Sequence, residues 1–265
     1  MELIITSDYA SMSRKAADTI SATIKEKPNC VLGLATGSTP VGTYKELVKR
    51  NQQRKIDFSQ VITFNLDEYI GIGIDPSKPY SQDQSYARFM HEQLFSHINI
   101  KGENIYMPDG TAENLEKHCS DYEQKIKQMK GIDLQLLGIG ANGHIAFNEP
   151  GSSLASRTRI QPLDPKTLND NYEKFYKKAG IKKEDMPHYA FTVGVGTILE
   201  SRHALLLGSG KNKAKAVAEA IEGPITSRIT ASALQLHPGQ VTIILDQSAA
   251  SELTWSLKLV RENLA

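Results

Sequence analysis

Short, almost unbroken apolar runs alternate along this chain with longer segments of helical period, and that alternation limits the fold more than any other feature. Runs at 31–34, 61–64, 134–137, 204–207 and 241–245 are rich in Val, Ile and Leu, with weaker ones at 3–5 and 190–193. A strand that is apolar at successive positions is covered on both faces, as strands of a parallel sheet are. Segments 9–25, 43–51, 85–96, 112–129 and 213–221 repeat their apolar residues at helical spacing and supply the covering helices. The expected fold is α/β: an open, mostly parallel, doubly wound (Rossmann-like) sheet flanked by helices. Two stretches rich in Pro, Asp, Lys and Ser interrupt the alternation, 71–84 and 150–190. The second is long for a plain connection, so it reads as a lid-like helical excursion. The 265 residues suit one continuous sheet, and residues 1–265 are read as a single domain.

Charge narrows the partners. Lys plus Arg number 31 against 30 Asp plus Glu, with no long basic run, so the footprint of a nucleic-acid binder is missing and an anionic ligand has to be held locally. No apolar stretch reaches the about 20 residues of a membrane span, and the first residues lack the basic and apolar regions of a secretory signal. A cytoplasmic protein without membrane contact is expected. Cys30 and Cys119 stand far apart and without metal-ligand spacing, which argues against a disulfide framework and a zinc site and for two inert thiols.

Ligands of open parallel sheets bind beyond the carboxyl ends of the strands, and the informative residues lie there. After the run ending at Leu34 comes Ala35-Thr36-Gly37-Ser38-Thr39-Pro40, followed by a helix. Its backbone N–H groups could hold an anion, or its hydroxyls could simply cap the helix that Pro40 begins. It is neither a Walker A loop nor a dinucleotide Gly-x-Gly-x-x-Gly turn. Gly208-Ser209-Gly210-Lys211 is a second Gly-rich turn between strand and helix, where Lys211 adds a point charge suited to phosphate or is merely solvated. The strand ending at Leu66 leads into Asp67-Glu68-Tyr69, where an acid is placed to act as a general base or serves only solubility. The densest segment, residues 138–150, sets Asn142, His144 and Glu149 among three glycines. An imidazole paired with a carboxylate exchanges protons near neutral pH, whereas one His, one Glu and one amide make a poor metal set.

In these segments the chain resembles the glucosamine-6-phosphate deaminase family. The resemblance rests on L-A-T-G-S-T-P at 34–40, F-N-L-D-E-Y at 64–69, G-I-G-A-N-G-H-I-A-F-N-E-P at 138–150, S-S-L-A-S-R-T-R-I at 152–160, T-V-G-V-G-T at 192–197, G-S-G-K at 208–211 and A-S-A-L-Q-L-H at 231–237. It implies conversion of glucosamine 6-phosphate to fructose 6-phosphate and ammonia in amino-sugar catabolism. By it, Asp67 is the base that moves a proton from C2 to C1, and His144, oriented by Glu149 and Asn142, opens the sugar ring. Gly37, Ser38, Thr39 and Lys211 hold the 6-phosphate. No metal and no organic cofactor is implied, the partner is a small amino-sugar phosphate, and a homo-oligomer, commonly a hexamer, is expected.

Three departures qualify the resemblance. Asn142 stands where some members carry an acid, so it can orient but not ionise. The segment after 157–160 lacks the phosphate-binding Arg of many members, and Lys174 is the candidate substitute. Members activated by N-acetylglucosamine 6-phosphate use residues near Ser152 and Arg159; both are kept, but Gln161 and Pro162 replace an expected Lys-Thr pair, so activation should be weak or absent. Two rival readings stay open: a sugar-phosphate lactonase, which would have little use for Asp67, and a non-catalytic sugar-phosphate sensor.

Overall fold

The computed structural model describes residues 1–72, 84–177 and 180–254, apart from the side chains of Lys174 and Phe175. Most of the 71–84 interruption and the Lys174 candidate therefore lie outside the described residues. The strands are β1 (Glu2–Thr6), β2 (Val31–Leu34), β3 (Ile62–Asn65), β4 (Asp67–Tyr69), β5 (Ile105–Tyr106), β6 (Leu134–Gly138), β7 (Arg159–Pro162), β8 (Tyr189–Thr192), β9 (His203–Gly208) and β10 (Gln240–Asp246). The α-helices are α1 (Tyr9–Glu26), α2 (Val41–Gln52), α3 (Tyr86–Gln93), α4 (Leu115–Gln128), α5 (Pro165–Asn171), α6 (Val195–Leu199) and α7 (Ala214–Ile221).

Seven strands form one parallel sheet in the order β1-β10-β9-β6-β2-β3-β5. Each main strand divides its side chains between two cores. On β9, Leu205 and Leu207 belong to the core that holds Met12, Ile20 and Leu47 on the α1 and α2 side, while Leu206 belongs to the core that holds Tyr122, Ile126 and Val217 on the α4 and α7 side. Burial on both faces is why these runs are apolar at successive positions instead of alternating.

The chain order of the strands reverses at β2: β3 and β5 build outward on one side, and β6, β9 and β10 on the other. The loops after β2 and β6 consequently leave in opposite directions and open a crevice at the carboxyl edge. β3 also departs from the main sheet there. Beyond Leu66, whose N–H still reaches the Leu34 carbonyl at 3.1 Å, the chain becomes β4 of a small antiparallel sheet ordered β4-β8-β7.

That second sheet changes two sequence expectations. The 190–193 run is a strand, but it joins β4 and β7 and not the parallel sheet. The 150–190 excursion contains β7 as well as α5, a π turn and a 3-10 turn, so it is a mixed element and not purely helical. The miss has a physical origin: Asp67-Glu68-Tyr69 and Arg159-Ile160-Gln161-Pro162 are short and polar, and pairing partners instead of intrinsic pattern make them strands. Among the described residues, no helix is long and apolar enough to cross a membrane.

Leu205 is fully buried in the central strand β9. Leu205→Ala should lower the unfolding free energy by about 2–5 kcal/mol in urea titrations with little change in the slope against denaturant.

Candidate active site

The crevice is a cleft of ≈ 340 Å³, lined by the 35–39 loop, Leu66, Asp67, Tyr86, the 138–147 loop, Thr167, Asp170 and Asn171 from α5 and its end, and Ser209, Asn212 and Lys213. Residues far apart in sequence are thus gathered around one space.

Asp67 is the first residue of β4 and faces Thr192 directly across the antiparallel pair. Its Oδ1 accepts the Thr192 hydroxyl at 2.8 Å and the Phe147 N–H at 3.2 Å. Burial pushes its pKa up to about 7; the bonds from Thr192 and Phe147 pull the other way, while the charges of Glu68 and Glu149 add to the rise. A carboxylate in this range ionises near neutral pH and binds a proton strongly enough to remove one from carbon. In the sequence Thr192 is only one residue of a motif, and its influence on Asp67 comes from the cross-strand register.

The Phe147 N–H reaches Asp67 because the preceding residue, Ala146, has a left-handed backbone with φ 51°. A non-glycine residue in that region costs roughly 1–2 kcal/mol, and such strain recurs where a loop must aim a functional group. Earlier in the loop, Gly143 takes φ 81°, and a Cβ on Gly140 would lie 2.4 Å from His144 Nε2. The glycines let the backbone pass beneath the imidazole.

His144 Nδ1 lies 3.1 Å from Glu149 Oε2, which also accepts the Asn142 amide at 3.2 Å. Asn142 Oδ1 in turn accepts the His144 backbone N–H at 3.4 Å. Asn142 therefore orients Glu149 and the loop, not the imidazole itself. Burial alone would raise Glu149, but the bond and charge of His144, then Thr167 and Asn142, hold its carboxyl below the usual range. An ionised Glu149 keeps the proton on Nδ1 and leaves Nε2 as the basic nitrogen.

The helices differ in how their N-termini are capped. Asp8, Ser85, Asn114 and Asp164 cap α1, α3, α4 and α5 by accepting backbone N–H groups. The N-termini of α2 and α7, next to the lining loops, have no side-chain cap. Of the two readings of the 35–40 loop, helix capping by its hydroxyls is not realised. Instead Tyr9 braces the loop, donating from its hydroxyl to the Ser38 carbonyl at 3.1 Å and accepting the Gly42 N–H at 2.8 Å. Gly37, Ser38 and Thr39 all line the cleft beside an N-terminus suited to an anion.

The second Gly-rich turn differs from expectation. Two of its donors are held within the fold: Asp246 accepts the Ser209 hydroxyl at 2.5 Å and the Gly210 N–H at 3.1 Å. Lys211 is exposed and outside the cleft lining, and Lys213, two residues on at the start of α7, lines it instead. The reason is the short 3-10 turn Lys211–Lys213, which carries the chain around before the helix begins.

Ser152 and Arg159 lie outside the cleft lining. Arg159 donates to Gln161 Oε1 at 2.8 Å, to the Ser152 hydroxyl at 2.9 Å and to Asn148 Oδ1 at 2.9 Å. The amide of Gln161 thus occupies the guanidinium. Cys30 and Cys119 are buried, and burial pushes their thiols up to about 12 and about 11. Among the described residues, no cluster of three or more His, Cys, Asp or Glu could hold a metal ion.

A parallel α/β sheet whose switch-point cleft joins a buried carboxylate, a His–carboxylate pair and an uncapped helix N-terminus is the architecture of a sugar-phosphate enzyme. The chain belongs to the glucosamine-6-phosphate isomerase and 6-phosphogluconolactonase family, whose model matches residues 7–244. It is 52% identical over 251 residues to the glucosamine-6-phosphate deaminase of Thermoanaerobacter pseudethanolicus, covering 95% of this chain and 94% of that one. A solved monomeric glucosamine-6-phosphate deaminase matches it with TM-score 0.87 at 43% identity, covering 95% of this chain and 100% of that one. The 6-phosphogluconolactonase of Trypanosoma cruzi matches with TM-score 0.72 at 22% identity, covering 96% and 97%, and shows the shared fold alone.

Activity requires the ionised form of a base, so it should fall as pH drops through about 7, the value for Asp67. Removing a donor raises that pKa further: Thr192→Val should move the acid limb of the kcat profile upward by about one pH unit, read from initial rates between pH 5 and 9.

Proposed function

We infer that this cleft isomerises and deaminates glucosamine 6-phosphate, yielding fructose 6-phosphate and ammonia. The observation that carries the reading is a buried carboxylate with its pKa near 7, Asp67, sharing one cleft with the His144–Glu149 pair. A lactonase has use for the second group but none for a carbon base, and a sensor needs neither.

The 6-phosphate rests against Gly37, Ser38 and Thr39 at the start of α2, with Lys213 supplying the point charge. His144 Nε2 takes the proton of the C1 hydroxyl and returns one to the ring oxygen, opening the pyranose to its aldehyde, while Glu149 steadies the imidazolium that forms. Asp67 then removes the C2 proton to give an enolamine and delivers a proton to C1, so that C2 becomes an imine. Water adds to that imine, and the carbinolamine expels ammonia. One sugar phosphate and one water become one fructose 6-phosphate and one ammonia. The 150–190 excursion serves as a lid in this reading, since Thr167, Asp170 and Asn171 line the cleft. A cytoplasmic enzyme is the reading for its location. As to assembly, the hexamer draws no support from the 43% identical deaminase, which is monomeric, and a monomer is the simpler proposal.

Purified protein should release ammonia and fructose 6-phosphate in equal amounts from glucosamine 6-phosphate, measured by coupled assays with 6-phosphogluconolactone as the parallel substrate. Asp67→Asn should reduce kcat by about 10² to 10⁴ while calorimetric binding of the substrate persists. Lactone hydrolysis without ammonia release would move the chain to the lactonase reading.

With Arg159 already bonded to Gln161, N-acetylglucosamine 6-phosphate should leave the half-saturating substrate concentration essentially unchanged. A clear fall on its addition, followed in steady-state rates, would contradict this.

A further inference from the structure

Glu68, next to the base, has no exposed surface, and the reaction sequence above leaves its carboxylate without a task. Asp67 lines the cleft, whereas Glu68 is bonded to α3. Its Oε1 accepts the N–H groups of Tyr69 at 2.9 Å and Tyr86 at 3.1 Å. Its Oε2 accepts the Ala87 N–H at 3.0 Å and the Ser85 hydroxyl at 2.9 Å. Tyr86 and Ala87 open α3, and the first N–H groups of a helix have no partner within it. Ser85 caps the Arg88 N–H at 3.3 Å, and Glu68, from another element, completes the cap.

Such a clamp needs a carboxylate. A Gln has one acceptor oxygen, and its amide would point two donors at backbone N–H groups. Desolvating a carboxylate costs several kcal/mol, more than a local cap alone warrants, so the site calls for a reason beyond holding one short helix.

The reason lies in what the clamp holds. Tyr86 lines the cleft together with Thr36 of the 35–39 loop, and its hydroxyl is 3.0 Å from that of Tyr69. Its ring lies nearly parallel to Phe147, with centroids 6.0 Å apart and planes 9° apart. Tyr86 therefore shares the cleft wall with the loop beside α2 and packs its ring on Phe147 of the loop that carries His144.

We propose that Glu68 is a positioning residue for substrate binding: it fastens the start of α3 to the strand of the base, and Tyr86 in turn holds the 35–39 loop in the shape that accepts the 6-phosphate. The inference rests on the sugar-phosphate reading of the cleft.

The test compares Glu68→Gln, Tyr86→Phe, the double variant and Ser85→Ala, using thermal melting, calorimetric Kd for glucosamine 6-phosphate, and kcat and KM. Kd and KM should rise about tenfold in Glu68→Gln and several-fold in Tyr86→Phe, with kcat within about threefold of the parent. The double variant should bind no worse than Glu68→Gln, because both changes act through Tyr86. Ser85→Ala, which removes one of the four donors, should move Kd the same way by less, and it carries the test if Glu68→Gln does not fold. Folded variants with unchanged Kd and KM, a loss confined to kcat, or losses that multiply in the double variant would overturn the proposal. Because Kd is read without turnover, absence of ammonia release by the parent protein would count against the deaminase reading alone.

Discussion

Covering both faces of a parallel sheet is the demand from which the rest of this molecule follows. Leu205, Leu206 and Leu207 each need an apolar neighbour, on alternating sides, so helices have to cross on both faces and the chain has to reverse its direction of growth once. At β2 it does so, and the parting of two loops at that point leaves a space that no side chain fills. The cleft is thus a by-product of burying leucines, and only afterwards a place for chemistry.

What the cleft does with that space is electrostatic. Asp67 and Glu149 are both buried, yet they are driven in opposite directions, one up by desolvation and one down by His144, Thr167 and Asn142. Two carboxylates with different proton affinities are thus brought close together, one of them paired with an imidazole. The two helix ends beside them lack the side-chain caps found on α1, α3, α4 and α5, which leaves donors for an anion.

The parallel sheet, its flanking helices and the grouping of Asp67, Asn142, His144 and Glu149 were legible in the sequence, because apolar runs of successive residues and a loop dense in glycine have few physical interpretations. The small antiparallel sheet was not. Its strands β4 and β7 are short and polar, and β4 exists through pairing with a segment over a hundred residues away. Thr192 escaped notice for the same reason, since a hydroxyl opposite Asp67 is a property of register. That Lys213 and not Lys211 lines the cleft follows from a 3-10 turn that moves the helix start past Lys211, a local winding that spacing from the glycines cannot reveal.

The left-handed residue Ala146 ties the two halves of the chemistry together. Its conformation aims the Phe147 N–H at Asp67 while the same loop, a few residues earlier, carries His144. The carboxylate of Asp67 is one of the holds on that strained loop, and its grip changes when it takes up a proton. The protonation state of Asp67 is consequently felt in the shape of the loop that carries His144, so the two groups are mechanically coupled through one backbone N–H.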